Sequence, residues 1–169
     1  MIRLRRLEIK DAPLMLEWMH SEESKSIFQN DFYHITLKQA EEFINSSFND
    51  KNKHFAIVDD TDEYLGTISL KNIDLKNMNA EYAISIREKA RGKNISKAAT
   101  EMLIDYGFQK LNLNRIYLCV LSTNKRAKRF YEKMNFQYEG TFKKHLKVSG
   151  EFVDLLWFGL VQGDKNECN

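Results

Sequence analysis

Residues 88–100, Glu-Lys-Ala-Arg-Gly-Lys-Asn-Ile-Ser-Lys-Ala-Ala-Thr, set one glycine among cations and then turn apolar at a fixed spacing. Ile95, Ala98, Ala99, Met102, Leu103 and Tyr106 fall on the i, i+3, i+4, i+7, i+8 face of an amphipathic helix that starts near Lys93 and runs to about Phe108. A helix start has unpaired backbone N–H groups and the positive end of the peptide dipoles, so this one, next to Arg91, Gly92 and Lys93, could cradle a phosphate. Many junctions of such composition bind nothing, so the rest of the chain must decide. Two other side chains invite proton chemistry. Glu81 interrupts an otherwise apolar strand pattern, and a carboxylate there is either a base or one half of an ion pair, for instance with Arg87. Tyr131 lies on a helical face with Ala127, Phe130 and Met134, where a phenol is equally at home as plain core.

The elements that must position these residues read in order. Ile2–Leu7 alternates as a strand. A helix follows, with Asp11 as its N-cap and Pro13 in its first turn. Thr36 and Gln39 form a capping box for a second helix through residue 48. Residues 54–60 and 64–73 make a strand pair around an acidic turn. Residues 79–87 form a strand with Ala80, Tyr82, Ile84 and Ile86 on one face and Glu81, Ala83, Ser85 and Arg87 on the other. After the helix from Lys93 come a both-faces-apolar strand, 115–121, a helix over 124–134, and a closing hairpin over 145–160 that turns at Ser149-Gly150. The strand–helix–strand crossover implies a parallel pair in an otherwise largely antiparallel sheet. The class is therefore α+β: a single domain spanning residues 1–169, with about seven strands in a mixed, twisted sheet and about four flanking helices.

Composition narrows the function. A chain of 169 residues, 43% hydrophobic, can bury one sizeable core. A net charge of +2 argues against wholesale nucleic-acid binding, although residues 125–147 interleave cations with Phe130, Tyr131, Phe136 and Tyr138 and keep a nucleic-acid-binding module as an alternative. Cys119 in an apolar strand and Cys168 near the end suggest no disulfide framework, and no apolar run reaches membrane-spanning length. A cytoplasmic protein is expected, with no membrane partner. His20, His34, His54 and His145 are dispersed without ligand spacing, so no metal is expected.

Two motifs carry a resemblance. Arg91-Gly92-Lys93-Asn94-Ile95-Ser96 stands where a family pattern close to R-G-K-G-x-G would be, with Asn94 and Ser96 for two glycines. Asn124, Ala127, Phe130, Tyr131, Glu132, Lys133 and Phe136 fit N-x-x-A-x-x-F/L-Y-E-K-x-G-F, with Asn135 for the glycine. In these motifs and in its element order the chain resembles the GNAT superfamily of acyl-CoA-dependent N-acetyltransferases, in the branch of ribosomal-protein N-terminal, spermidine and nucleotide-aminosugar enzymes. Asn tolerates left-handed backbone better than other non-glycine residues, so the loop remains able to turn.

The resemblance implies direct attack of a primary amine on acetyl-CoA, the co-substrate. It assigns the pyrophosphate to the amides of Arg91, Gly92, Lys93, Asn94, Ile95 and Ser96, and the pantetheine arm to the strand backbone around Ile84 and Ile86 and to Asn124. Arg126 and Lys128 would meet further phosphate charge. Tyr131 would be the general acid and Glu81 the base. Phe28, Gln29, Asn30, Phe32 and Tyr33 are expected to cover the acceptor, a small amine, with a nucleotide-linked aminosugar slightly ahead of a polyamine. The alternatives are a protein N-terminal acetyltransferase and a non-catalytic acyl-CoA-binding module. A homodimer is left open.

Overall fold

The computed structural model describes residues 1–28 and 30–163, so Gln29 and Cys168 lie outside the described residues. Seven strands form one sheet: β1 (Ile2–Arg6), β2 (Lys53–Asp59), β3 (Tyr64–Asp74), β4 (Asn79–Ile86), β5 (Arg115–Leu121), β6 (Gln137–Val148) and β7 (Glu151–Val161). Their order is β1-β2-β3-β4-β5-β7-β6, and only β4 and β5 run parallel. The described residues hold five α-helices, α1 (Ala12–Met19), α2 (Ser24–Ile27), α3 (Leu37–Ser46), α4 (Ile95–Asp105) and α5 (Lys125–Lys133), one more than expected. The extra one is the four-residue α2, too short to show a period.

The strand pleat sorts the core into two layers. Phe55 and Ile57 of β2 pack with Tyr82, Leu103, Ile116 and Phe158 on the α4–α5 face. Ala56 and Val58 turn the other way, onto Met15, Trp18, Ala40 and Ile44 of α1 and α3. The alternation read from residues 79–87 holds: Ala80 and Tyr82 are buried on the α4–α5 face, which puts Glu81, Ala83 and Ser85 on the α1–α3 face.

Local chemistry explains several boundaries. Thr36 Oγ1 accepts from the Gln39 N–H at 3.2 Å and Gln39 Oε1 accepts from the Thr36 N–H at 2.8 Å, the expected capping box. Asp11 does not cap α1. Its carboxylate instead accepts two hydrogen bonds from the Arg5 guanidinium, at 2.7 and 2.8 Å, and is almost wholly buried. α4 begins at Ile95 rather than Lys93, because Asn94 sits in the left-handed region at φ 57° and its backbone cannot continue a helix. The helix ends at Asp105 and widens into a π-helical turn, Tyr106–Lys110. β6 starts at Gln137, eight residues before the expected hairpin strand, and residues 149–150 make the turn as expected, at φ 49° and 88°. Asn135 holds φ 65° in place of the motif glycine.

Candidate active site

β4 and β5 pair only through Asn79–Arg115, Ala80–Ile116 and Glu81–Tyr117, and then diverge. Beyond Glu81, β4 keeps its bonds to β3 but offers an unpaired edge toward β5. A cavity of about 500 Å³ runs through this wedge; its wall includes every β4 residue from Glu81 to Ile86, odd and even alike. Side chains of both faces can share one cavity only where the sheet itself is open. The wedge therefore joins Tyr131 on the α4–α5 face to Glu81 on the α1–α3 face.

The loop before α4 closes one end. The backbone N–H groups of residues 92–97 meet no acceptor among the described residues. Left-handed Gly92 (φ 77°) and Asn94 turn the chain there, and nothing lies within 4 Å of where a Gly92 Cβ would be. Such a nest of free amides at the start of an eleven-residue helix suits pyrophosphate. Arg91 and Ser96 line the main cavity, whereas Lys93, Asn94 and Ile95 line a separate depression beside the loop, and Gly92 lines neither. The Arg91 guanidinium is ion-paired to Glu23, which ties the loop to the segment between α1 and α2.

α5 supplies the next wall. Asn124, which lines the cavity, caps this helix through Oδ1 by accepting from the Ala127 N–H at 3.1 Å, so its amide nitrogen takes no part in the cap. Arg126 lines the cavity with Ile84 and Ile86. Lys128 does not: it points along the helix surface toward Glu132, at 3.8 Å, because two residues on from Arg126 is the far side of a helix. Tyr131 is buried edge-on against Tyr82, ring centroids 5.7 Å apart, and among the described residues nothing hydrogen-bonds its phenol. Burial pushes that phenol above its ordinary pKa, so it keeps its proton at neutral pH.

At the other end, Glu81 is paired with Lys71 at 3.2 Å and accepts from Asn72 Nδ2 at 2.8 Å. Arg87, the ion-pair partner offered as an alternative, is engaged elsewhere, by Glu17 and Glu63. Cross-strand register explains the exchange, since Lys71 lies directly opposite Glu81. His54, Ser69 and Cys119, none of them picked out as site residues by sequence, complete this end. Their signal was weak: polar residues set singly into apolar strands. Burial, with a smaller contribution from Glu81, pushes the Cys119 thiol up to about 12, so it stays protonated. Phe28, Asn30 and Phe32 line the cavity as expected, but Phe28 and Phe32 are also packed on Trp18, at 5.4 and 5.3 Å between centroids. Tyr33 is outside the lining; Lys25 sits over its ring and His20 beside it.

An α+β sheet splayed at its parallel pair, with a nest of amides at one end of the wedge and a buried phenol along it, is the architecture of an acyl-CoA-dependent transferase. The chain matches the acetyltransferase (GNAT) domain over residues 2–137 and belongs to that family. A protein of Bacillus licheniformis, "Uncharacterized N-acetyltransferase p20", is 32% identical over 168 residues, covering 95% of this chain and 93% of its own. Spermidine N(1)-acetyltransferase of Escherichia coli K12 is 25% identical over 154 residues, 89% of this chain and 81% of its own. Spermidine N-acetyltransferase from Vibrio cholerae, solved in complex with CoA and spermine, superposes with a TM-score of 0.88 at 25% identity over 95% of each chain. This protein is an N-acetyltransferase that uses acetyl-CoA. No helix among its described residues is long and apolar enough to cross a membrane.

Proposed function

We propose that the protein acetylates the primary amine of a small aliphatic acceptor by direct attack within the β4–β5 wedge. The observation that carries this reading is the single cavity that joins the Tyr131 phenol, the free β4 edge and the Glu81 carboxylate. The amides of residues 92–97 hold the pyrophosphate, with Arg91 and Arg126 adding charge. The backbone of residues 82–86 pairs with the pantetheine arm, and the Asn124 amide donates from the α5 side. Acetyl-CoA supplies the acyl group. Tyr131 gives its proton to the departing thiolate, an anion that the same dry cavity makes more basic just as it raises the phenol. Glu81 collects the ammonium proton, directly or through a water, so that the nitrogen lone pair is free to attack.

An aliphatic acceptor gains over the aminosugar for a physical reason. The rings expected to stack on a sugar are spent on one another and on Trp18, and Tyr33 lies outside the lining. The spermidine-acetylating relatives support an aliphatic chain at the acceptor nitrogen, whatever charge its far end carries. The test is thiol release from acetyl-CoA with small amines, aminosugar nucleotides and N-terminal peptides. Activity rises with pH as the acceptor deprotonates, and Glu81→Gln flattens the low-pH limb of kcat/KM. Rapid acetylation of a ribosomal-protein N-terminal peptide, with no turnover of any small amine, would overturn the reading.

A further inference from the structure

Lys71, His54 and Ser69 sit on the Glu81 side of the wedge and have no part in the transfer just described. They lie in adjacent rungs of one sheet face: His54 pairs across with Ser69, and Lys71 with Glu81. His54 is buried, and its Nδ1 lies 2.7 Å from Ser69 Oγ. Burial, helped by the Lys71 charge, lowers its imidazole to about 4, so it is neutral at neutral pH. The charges at this end are then Glu81 and Lys71, and they cancel. Glu23, the cavity's other carboxylate, is occupied by Arg91. The remaining walls are apolar or aromatic, among them Phe28, Phe32 and Phe43.

An incoming ammonium at the Glu81 carboxylate must share it with Lys71, and this end of the cavity then carries one positive charge in excess. A second cation on the acceptor would meet it in a cavity with no anion to spare, whereas an anionic group would restore neutrality. Resting on the acetyl-transfer reading above, we infer that Lys71 selects the acceptor by charge, favouring a primary amine whose other end is anionic or neutral over one that carries a second ammonium. Lys71 is thus a specificity residue; it touches no bond that breaks.

Three acceptors of one length test this: 3-aminopropanoate, propylamine and 1,3-diaminopropane, with kcat/KM read by thiol release in the parent enzyme, Lys71→Gln and Lys71→Arg. Like-charge repulsion across a few ångströms of partly screened cavity predicts that the parent disfavours the diamine by roughly tenfold or more against the other two. In Lys71→Gln that ratio collapses toward one, chiefly through KM, and Lys71→Arg restores it. Comparing acceptors within one variant cancels any effect of the substitution on Glu81 or on folding. A parent that prefers the diamine, or a ratio indifferent to Lys71→Gln, overturns the inference and leaves acetyl transfer standing. Turnover of no amine at all overturns both.

Discussion

The two ends of the wedge are built from different materials. The end proposed for the cofactor is mostly main chain: unpaired amides before α4, the open edge of β4 and a helix cap at Asn124. The end proposed for the acceptor is side chain: His54 from β2, Ser69 and Lys71 from β3, Glu81 from β4 and two phenylalanines from the α1–α3 connection. A main-chain site depends on conformation, which neighbouring residues set. A side-chain site depends on register, which distant residues set. The cofactor end should therefore fail when its conformation or charge is altered, and the acceptor end when one functional group is removed.

Tyr131, where the two ends meet, gives the largest effect. Tyr131→Phe keeps the ring packing against Tyr82 and removes the proton donor, so kcat falls by roughly 100-fold with acetyl-CoA affinity unchanged. Steady-state kinetics beside calorimetry checks both halves of that statement, and an unaltered kcat under chemistry-limited conditions would return Tyr131 to the core. Ser96→Asp comes next. A carboxylate brought to the amide nest repels pyrophosphate and weakens acetyl-CoA binding by roughly 30-fold, about 2 kcal/mol. Equal affinity in variant and parent, by calorimetry, would show that the nest holds no phosphate.

The last effect belongs to the other end and is one of stability, read as a slope against pH. His54 has its folded-state pKa lowered to about 4, below the unfolded value near 6.5. Between those values the unfolded chain binds the proton and the folded chain does not, so stability falls as pH drops from about 6.5 to 4. The slope reaches at most about 1.4 kcal/mol per pH unit. Denaturant titrations across this window should show the slope in the parent and lose it in His54→Gln; identical slopes would mean that His54 is not the group responsible.

Legibility in the sequence follows the same division. The α4 face, the Thr36–Gln39 capping box and the Ser149-Gly150 turn are readable because each is set within a few consecutive residues. So is the loop, although its helix start moved by two residues once Asn94 adopted left-handed backbone. Glu81 stood out as a carboxylate in an apolar strand, but its partner did not: Lys71 is ten residues away, and only the β3–β4 register brings the two together. β3 is buried on both faces from Tyr64 to Leu70, so its alternation is erased, and Thr67 and Ser69 look like accidents in an apolar run. Phe28 and Phe32 stand out in the sequence as a cluster of aromatics but not as partners of Trp18, since that contact depends on where α1 ends. The first half of β6 was missed because it is an edge strand with mostly exposed residues, and exposure on both faces leaves no period to read.

The short parallel seam has a mechanical consequence. Four strands, β1 to β4, and three, β5 to β7, are joined along the sheet by three residue pairs at one end. That arrangement leaves the two blades free of ladder bonds to each other over the rest of their length, held by the core they share. The angle between the blades is then set by what fills the gap, namely α4 and α5 above it and whatever arm lies within it. An extended chain that bonds along the β4 edge acts as a pin through the opened joint, stiffening the protein at the place where its own ladder stops.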